Sequence, residues 1–190
     1  MTAERILGTE PTVTLRERPY LTMLSIRVPP GSPQASRIAE ALAVSLPQRC
    51  GDVGQTEQHA VLWLGPDEWL VVSWAAAGKL HEQLNTALGS DHGAVVDVSA
   101  NRTTLELAGP AARDVLDAGC TLDLHPRAFG PGTAVATQVG PVPVILWQTN
   151  DAPTYRLLPR SSFADYLTRW LLDAMRSGPD TSTLVTRQPA

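Results

Sequence analysis

The first regular element is set by alternation. Leu24, Ile26 and Val28 alternate with Ser25 and Arg27, the period of a half-buried strand, and Pro29-Pro30-Gly31 stops the run. The spacing then becomes helical: Ser32 offers an N-cap, Pro33 takes the first helical position, and Ile38, Leu42 and Leu46 recur until Pro47 ends the segment. After a Gly/Gln-rich loop, AVLWL and WLVVSW flank Gly65-Pro66-Asp67-Glu68, two β-prone runs about a turn tetrapeptide, which predicts a hairpin. Leu80, Leu84, Ala87 and Leu88 share one helical face closed by Gly89, and Ala94 to Val98 begin another strand. The order is β-α-β-β-α-β, the ferredoxin-like arrangement in which both helices cover one face of an antiparallel sheet.

The second half nearly repeats it. Thr103, Leu105 and Leu107 alternate with Thr104 and Glu106, and Gly109-Pro110 starts a short helix with Ala112, Val115 and Leu116 as its apolar stripe. Thr133 to Val139 and Val142 to Thr149 flank Gly140-Pro141 as a second hairpin, with Pro143 at its start or on an edge, and Tyr155 to Leu158 add a short strand. The last helix has Phe163, Tyr166, Leu167, Trp170, Leu171 and Ala174 as its apolar face, a Ser162/Asp165 capping box, and Gly178-Pro179 as its stop. The expected fold is α+β: one domain over residues 19–177 built of two ferredoxin-like halves, about 19–99 and 100–177, each an antiparallel sheet with helices on one face. The polar, aperiodic ends, 1–18 and 178–190, are expected to be flexible segments.

Composition narrows the class. The 190 residues carry 15 basic and 19 acidic side chains, a net charge of −4, which excludes a polybasic nucleic-acid arm. With 43% hydrophobic residues and two cysteines, the chain has enough apolar matter for a core and cannot form a disulfide scaffold. The N-terminus lacks the apolar stretch of a secretory signal, and no segment approaches the ~20 apolar residues of a membrane span, so the expected location is cytoplasmic. Lys79 is the only lysine beside 14 arginines; the plain reading is genome-wide codon bias, although arginine also suits bidentate pairing at a protein interface.

Candidate chemistry is sparse. Neither G-x-G-x-x-G nor G-x-x-x-x-G-K-[ST] occurs, and His59, His81, His92 and His125 lie too far apart in sequence to suggest a zinc site. Cys120, Asp123 and His125 in GCTLDLHPR have the residue types of a nucleophile, orienter and base, yet a Cys behind Ala118-Gly119 at a helix end reads more simply as an inert, packed thiol. Asp97 and Arg102, in DVSANR, could form a salt bridge or contact a ligand; turn chemistry alone favours local backbone bonding. The five tryptophans fall mostly on core faces rather than around a cofactor cage.

Four segments carry a resemblance. LWLGPDEWLVV at 62–72, VVDVSANRTTLELAGPAARDVLDAGCTLDLHPRAFGPG at 95–132, VPVILWQT at 142–149 and YRLLPRSSFADYLTRWLLDAM at 155–175 together resemble the gamma subunit of heterotetrameric sarcosine oxidase. That resemblance implies a fold like the folate-binding domain of the glycine-cleavage aminomethyltransferase. It also implies a non-catalytic subunit of a flavin-dependent complex that oxidises the N-methyl group of sarcosine, yielding glycine, hydrogen peroxide and either formaldehyde or 5,10-methylenetetrahydrofolate. The partners implied are alpha, beta and delta subunits, chiefly alpha, with no nucleic acid and no membrane. FAD, FMN, NAD, tetrahydrofolate and zinc are then held by the other subunits, and no catalytic residue transfers to this chain. Folate-dependent iron–sulfur-repair relatives carry a K-G-C-Y-x-G-Q-E segment; Ala118-Gly119-Cys120-Thr121-Leu122 lacks its lysine, tyrosine and glutamine. The loop Leu122 to Phe129 is the candidate partner contact, because Asp123, His125 and Arg127 suit a wet interface better than a core. The alternative is a free-standing one-carbon module that binds folate in a cleft between the halves.

Overall fold

A computed structural model describes residues 4–177. In chain order its elements are β1 (Arg5–Glu10), β2 (Val13–Glu17), β3 (Thr22–Arg27), α1 (Pro33–Leu42), β4 (Gly51–Gln55), β5 (His59–Gly65), β6 (Glu68–Ser73), α2 (Ala77–Leu88), β7 (Ala94–Asp97), β8 (Leu105–Ala108), α3 (Ala112–Asp117), β9 (Thr133–Val139), β10 (Val142–Asn150), β11 (Thr154–Pro159) and α4 (Ala164–Arg176). Every strand pairs antiparallel, in the order β1-β2-β8-β11-β10-β9-β4-β5-β6-β3-β7.

The two-half reading of the sequence maps onto that order. In the first half β5-β6-β3-β7 form the ferredoxin-like sheet, with α1 after β3 and α2 after β6. In the second, β10-β11-β8-β2 form its counterpart, with α3 after β8 and α4 after β11. The last strand of that second sheet is therefore supplied by the start of the chain. The extra strands β4 and β9 pair with each other through Gly51↔Ala134 and Asp52↔Thr133, making one continuous sheet.

Period-two alternation assigns each strand residue to a layer. Leu24, Ile26, Val61, Trp69 and Val71 pack under α1 and α2; Leu15, Leu105, Leu107, Leu146, Tyr155 and Leu157 pack under α3 and α4. The opposite faces meet each other: Met23, Leu62, Leu70 and Val72 of the first half pack on Ala134, Ile145, Trp147 and Leu158 of the second. The layers run helices, sheet, sheet, helices, with a dry seam in the middle.

Several local readings hold. Ser32 Oγ accepts from the Ala35 backbone N–H, as an N-cap should, and Gly89 ends α2 with φ 67°. Gly140, φ 55°, takes the first central position of the β9–β10 turn, where a primed turn favours glycine. Pro143 stands one residue inside β10, where the ladder with β11 has not yet begun, so no donor is missed.

Other expectations need correction. Residues 5–17 are not a fraying end: Val13 and Leu15 are 4% and 0% exposed, held in the sheet by β8. The alternation of Val13 and Leu15 with Thr14 is only three residues long, too short to stand out. The Gly/Gln-rich loop contains β4, whose order comes from its two neighbours; Gly54 leaves no room for a Cβ, which would lie 2.7 Å from the Ser45 carbonyl oxygen. Helix α1 stops at Leu42, with Ala43 in the left-handed region at φ 52°, and Leu46 is buried from the following loop instead. That loop is fixed where the Trp69 indole N–H donates to the Pro47 carbonyl at 2.8 Å. At α4 the Ser162/Asp165 capping box does not form, because a 3-10 turn at Ser161–Phe163 precedes the helix, and Phe163 and Tyr166 are exposed; Leu167, Leu171 and Met175 make the buried stripe. The expected tail 178–190, with its Gly178-Pro179 stop, lies outside the described residues.

Candidate functional site

Alternation along β8 sends Leu105 and Leu107 toward the helices, so Thr104 and Glu106 point into the seam. The same rule on β11 sends Arg156 inward between Tyr155 and Leu157. Register places Arg156 directly opposite Glu106, and Arg16 of β2 opposite it on the other side. Glu106 and Arg156 are 5% and 9% exposed, an ion pair inside the protein.

Both carboxylate oxygens of Glu106 are engaged. Arg18 donates from Nε at 2.6 Å and from Nη2 at 2.9 Å, a bidentate fork, and Arg156 Nε donates at 3.2 Å. Glu4 adds an outer ion pair to Arg18 at 2.6 Å. The Arg156 guanidinium lies 5.3 Å from the ring centre of Trp74 and 5.0 Å from that of Trp147, within cation–π range. Trp74 follows β6 in the first half and Trp147 sits on β10 in the second, so this cation is clasped from both halves.

Burial pushes the Glu106 carboxyl up, but the hydrogen bonds and charge of Arg18, with the charge of Arg156, outweigh it and hold the carboxyl below its ordinary range. The two arginines respond in opposite senses. Burial pulls Arg156 down despite Glu106, whereas the hydrogen bond to Glu106 raises Arg18 at the rim.

Above this cluster the halves part into a cleft of about 1000 Å³, lined among others by Arg5, Arg18, Tyr20, Trp74, Arg102 and Ser161. Two aromatic side chains stand open at it: Tyr20 is 86% exposed and Trp74 44%. Tyr20 has φ 61°, a left-handed backbone that costs a non-glycine residue about 1 kcal/mol or more. Arg102 is half-buried; its Nη1 donates to the Leu158 carbonyl at 2.8 Å, and among the described residues no carboxylate approaches within 4.0 Å. Burial, with the like charge of Arg160 behind it, pulls this guanidinium below its ordinary value.

The sequence candidates fall elsewhere or serve local structure. Asp97 does not meet Arg102: its Oδ1 accepts from the Ser99 backbone N–H at 2.9 Å and from Ser99 Oγ at 2.6 Å, which hold its carboxyl below the ordinary range. Asp123, His125 and Arg127 are exposed on the loop between α3 and β9, anchored by Leu124 and Phe129 at 1% and 3% exposure. Asp123 Oδ1 accepts from the His125 backbone N–H at 2.9 Å, and His125 Nδ1 accepts from the Arg127 backbone N–H at 3.2 Å. Cys120 bridges to Val139 and packs partly buried on the second core; among the described residues no hydrogen bond joins it to Asp123 or His125. Among the described residues, no three His, Cys, Asp or Glu side chains converge as metal ligands. No helix there is long and apolar enough to cross a membrane. Reasoning from the sequence missed Glu106, Arg156 and Arg18. No local signal marks them: Glu106 and Arg156 stand fifty positions apart, each at an alternating polar position that reads as solvent-facing.

Comparisons with known proteins complete the site's description. The model of the sarcosine oxidase, gamma subunit family matches residues 31–177. The sarcosine oxidase subunit gamma of Corynebacterium sp. strain P-1 is 48% identical over 169 residues, covering 88% of this chain and 82% of that protein. The Arthrobacter sp. subunit is 47% identical with the same coverage. A chain of heterotetrameric sarcosine oxidase from Corynebacterium sp. U-96, solved in complex with pyrrole 2-carboxylate, superposes with TM-score 0.84 at 41% identity, over 96% of this chain and 90% of that one. The aminomethyltransferase T of the Bartonella henselae glycine cleavage system matches at TM-score 0.63 and 14% identity, over 85% of this chain and 45% of that one, a likeness of fold.

Proposed function

The chain belongs to the sarcosine oxidase gamma subunit family, and from that premise we propose that it acts as a structural, non-catalytic subunit of the heterotetrameric enzyme. The observation that carries this reading is the use made of the buried ionisable groups. Glu106 commits both oxygens to Arg18 and Arg156 through three charge-assisted hydrogen bonds and is 5% exposed, and Arg156 lies between two indoles. A general base needs to reach a substrate proton, and this carboxylate reaches only guanidinium.

The reaction of the assembled enzyme is then oxidation of the sarcosine N-methyl group to give glycine and hydrogen peroxide, with formaldehyde or 5,10-methylenetetrahydrofolate as the one-carbon product. What supports placing the cofactors of that chemistry elsewhere is that this chain lacks the glycine-rich phosphate loop of dinucleotide sites and, among the described residues, has no converging ligands for zinc. We assign these groups and tetrahydrofolate to the alpha, beta and delta partners, chiefly alpha, and the assembly to the cytoplasm. The exposed loop bearing Asp123, His125 and Arg127 is a partner contact in this reading: two buried anchors present three polar side chains at fixed spacing.

Coexpression with the alpha, beta and delta chains tests the proposal. The expected result is copurification in one flavoprotein complex, with Cys120→Ser unchanged in activity and Asp123→Arg or Arg127→Glu weakening association. A chain that never copurifies, yet binds tetrahydrofolate at micromolar strength alone, would instead establish the free-standing one-carbon module.

A further inference from the structure

We propose that the cleft between the two halves is a docking groove for a carboxylate-bearing segment of a partner subunit, with Arg102 as the anion-binding group and Tyr20 and Trp74 as its aromatic walls. The inference rests on the subunit reading above and specifies where and by what chemistry the partner is held.

Three independent features converge on this groove. The first is charge. Arg102 is half-buried, spends one guanidinium nitrogen on the Leu158 carbonyl, and has no carboxylate within 4.0 Å among the described residues. Most guanidinium ions so placed are paired, because partial burial without a counter-ion is costly. Arg18, on the same wall, is already saturated by Glu106 and Glu4, so Arg102 is the partly buried cation of the groove with donors to spare, beside the exposed Arg5. Glu17 is the single acidic residue of the lining, against Arg5, Arg18 and Arg102, so the groove is locally positive on a chain of net charge −4. That is the complement of an acidic segment.

The second feature is aromatic. Tyr20 and Trp74 expose 86% and 44% of their surfaces at the groove, and tyrosine, tryptophan and arginine are the residue types that dominate binding energy at protein interfaces. Trp74 is held in place by the Arg156 guanidinium stacked on it, so this wall is presented before any partner arrives, while Tyr20, 86% exposed, is free to close on an occupant.

The third is shape. At about 1000 Å³ and partly open to solvent, the groove exposes its aromatics, whereas a small-ligand pocket buries most of its occupant. The occupant it fits is an extended segment of a polypeptide with an Asp, Glu or terminal carboxylate over Arg102 and an apolar side chain between Tyr20 and Trp74.

The test measures binding of the purified chain to the remaining oxidase subunits. Tyr20→Ala removes an exposed side chain without touching the core, and Arg102→Gln keeps a donor to Leu158 while removing the charge. Each is expected to weaken association by about tenfold or more, as truncating an interface anchor does. Arg102→Gln should also flatten the dependence of affinity on salt. A photoreactive benzoylphenylalanine at position 20 should cross-link to a partner peptide containing Asp or Glu, and iodide quenching of Trp74 should fall on assembly. Wild-type association with both variants equal to it, no cross-link and unchanged quenching would overturn the docking groove and leave the subunit reading standing. No association even by the wild-type chain would remove both. Protection of Trp74 in the isolated chain by micromolar glutarate would make the cleft a small-anion site, again overturning the proposal.

Discussion

The two halves use one framework and finish its inner face in opposite ways. Where β3 and β6 of the first half set Met23 against Val72 and Ser25 against Leu70, the equivalent strands β8 and β11 of the second set Glu106 against Arg156. The first choice is the ordinary one for a dry seam. The second takes two charges out of water, a penalty of several kcal/mol per ion before pairing. The apolar version shows that this sheet geometry does not require charge. The ion pair therefore contributes something other than a core: it fixes Arg156 under Trp74 and ties the rim of the cleft to both halves.

The largest effect that would break this comparison comes from leaving the charges unpaired. Glu106→Ala strands Arg156 in the seam and should cost about 3–5 kcal/mol in chemical denaturation. Converting the site to the first half's chemistry, with Glu106→Leu and Arg156→Met together, should recover most of that loss. A double variant as unstable as the single one would mean the pair is needed for the fold itself.

Next comes the borrowed strand. Leu15 of β2 and Leu24 of β3 are both fully buried, one reaching its sheet from the start of the chain and the other in sequence order. Leu15→Ala and Leu24→Ala should each cost about 2–5 kcal/mol. A negligible loss at Leu15 would show β2 to be an accessory to the second half.

Acid separates the halves as well. The folded Glu106 carboxyl titrates below its unfolded value of about 4.3, so its contribution is complete above that pH and is lost as pH falls through the folded value. Burial likewise lowers His59 of the first half below about 6.5, so the unfolded chain takes up that proton first and stability falls from near pH 6.5 downward. Glu106→Gln should flatten only the lower limb of a stability–pH curve, and His59→Gln only the upper. Trp74→Ala, which removes one face of the cation–π sandwich, should cost about 1 kcal/mol. Arg27→Ala, which removes an exposed surface ion pair with Glu68 in the first half, should leave the unfolding midpoint unmoved.

The elements legible in the sequence are those whose own residues decide them. The GPDE hairpin, the Ser32 cap and the α2 stripe depend on neighbours a few positions away, and each stands where its pattern placed it. Strands β2 and β4 owe their order to partners as distant as β8 and β9, and β1 in turn rests on β2, which no local period records. The ion pair was hidden for a different reason. Glu106 alternates with Leu105 and Leu107 as a solvent-facing residue would, and periodicity cannot distinguish water from a second packed sheet on the polar side. Arg102 stood out as a charged turn residue, but its lack of a carboxylate partner appears only once Asp97 is seen bonded to Ser99.

The proposed role of this chain is that of a structural subunit of a larger oxidase. Native mass spectrometry of the purified chain mixed with the remaining sarcosine oxidase subunits tests it most directly. The expected result is a single assembly containing one copy of this chain, with all flavin mass carried by the other subunits. Flavin retained on this chain, or a complete active oxidase that forms while this chain stays at its own mass, would contradict it.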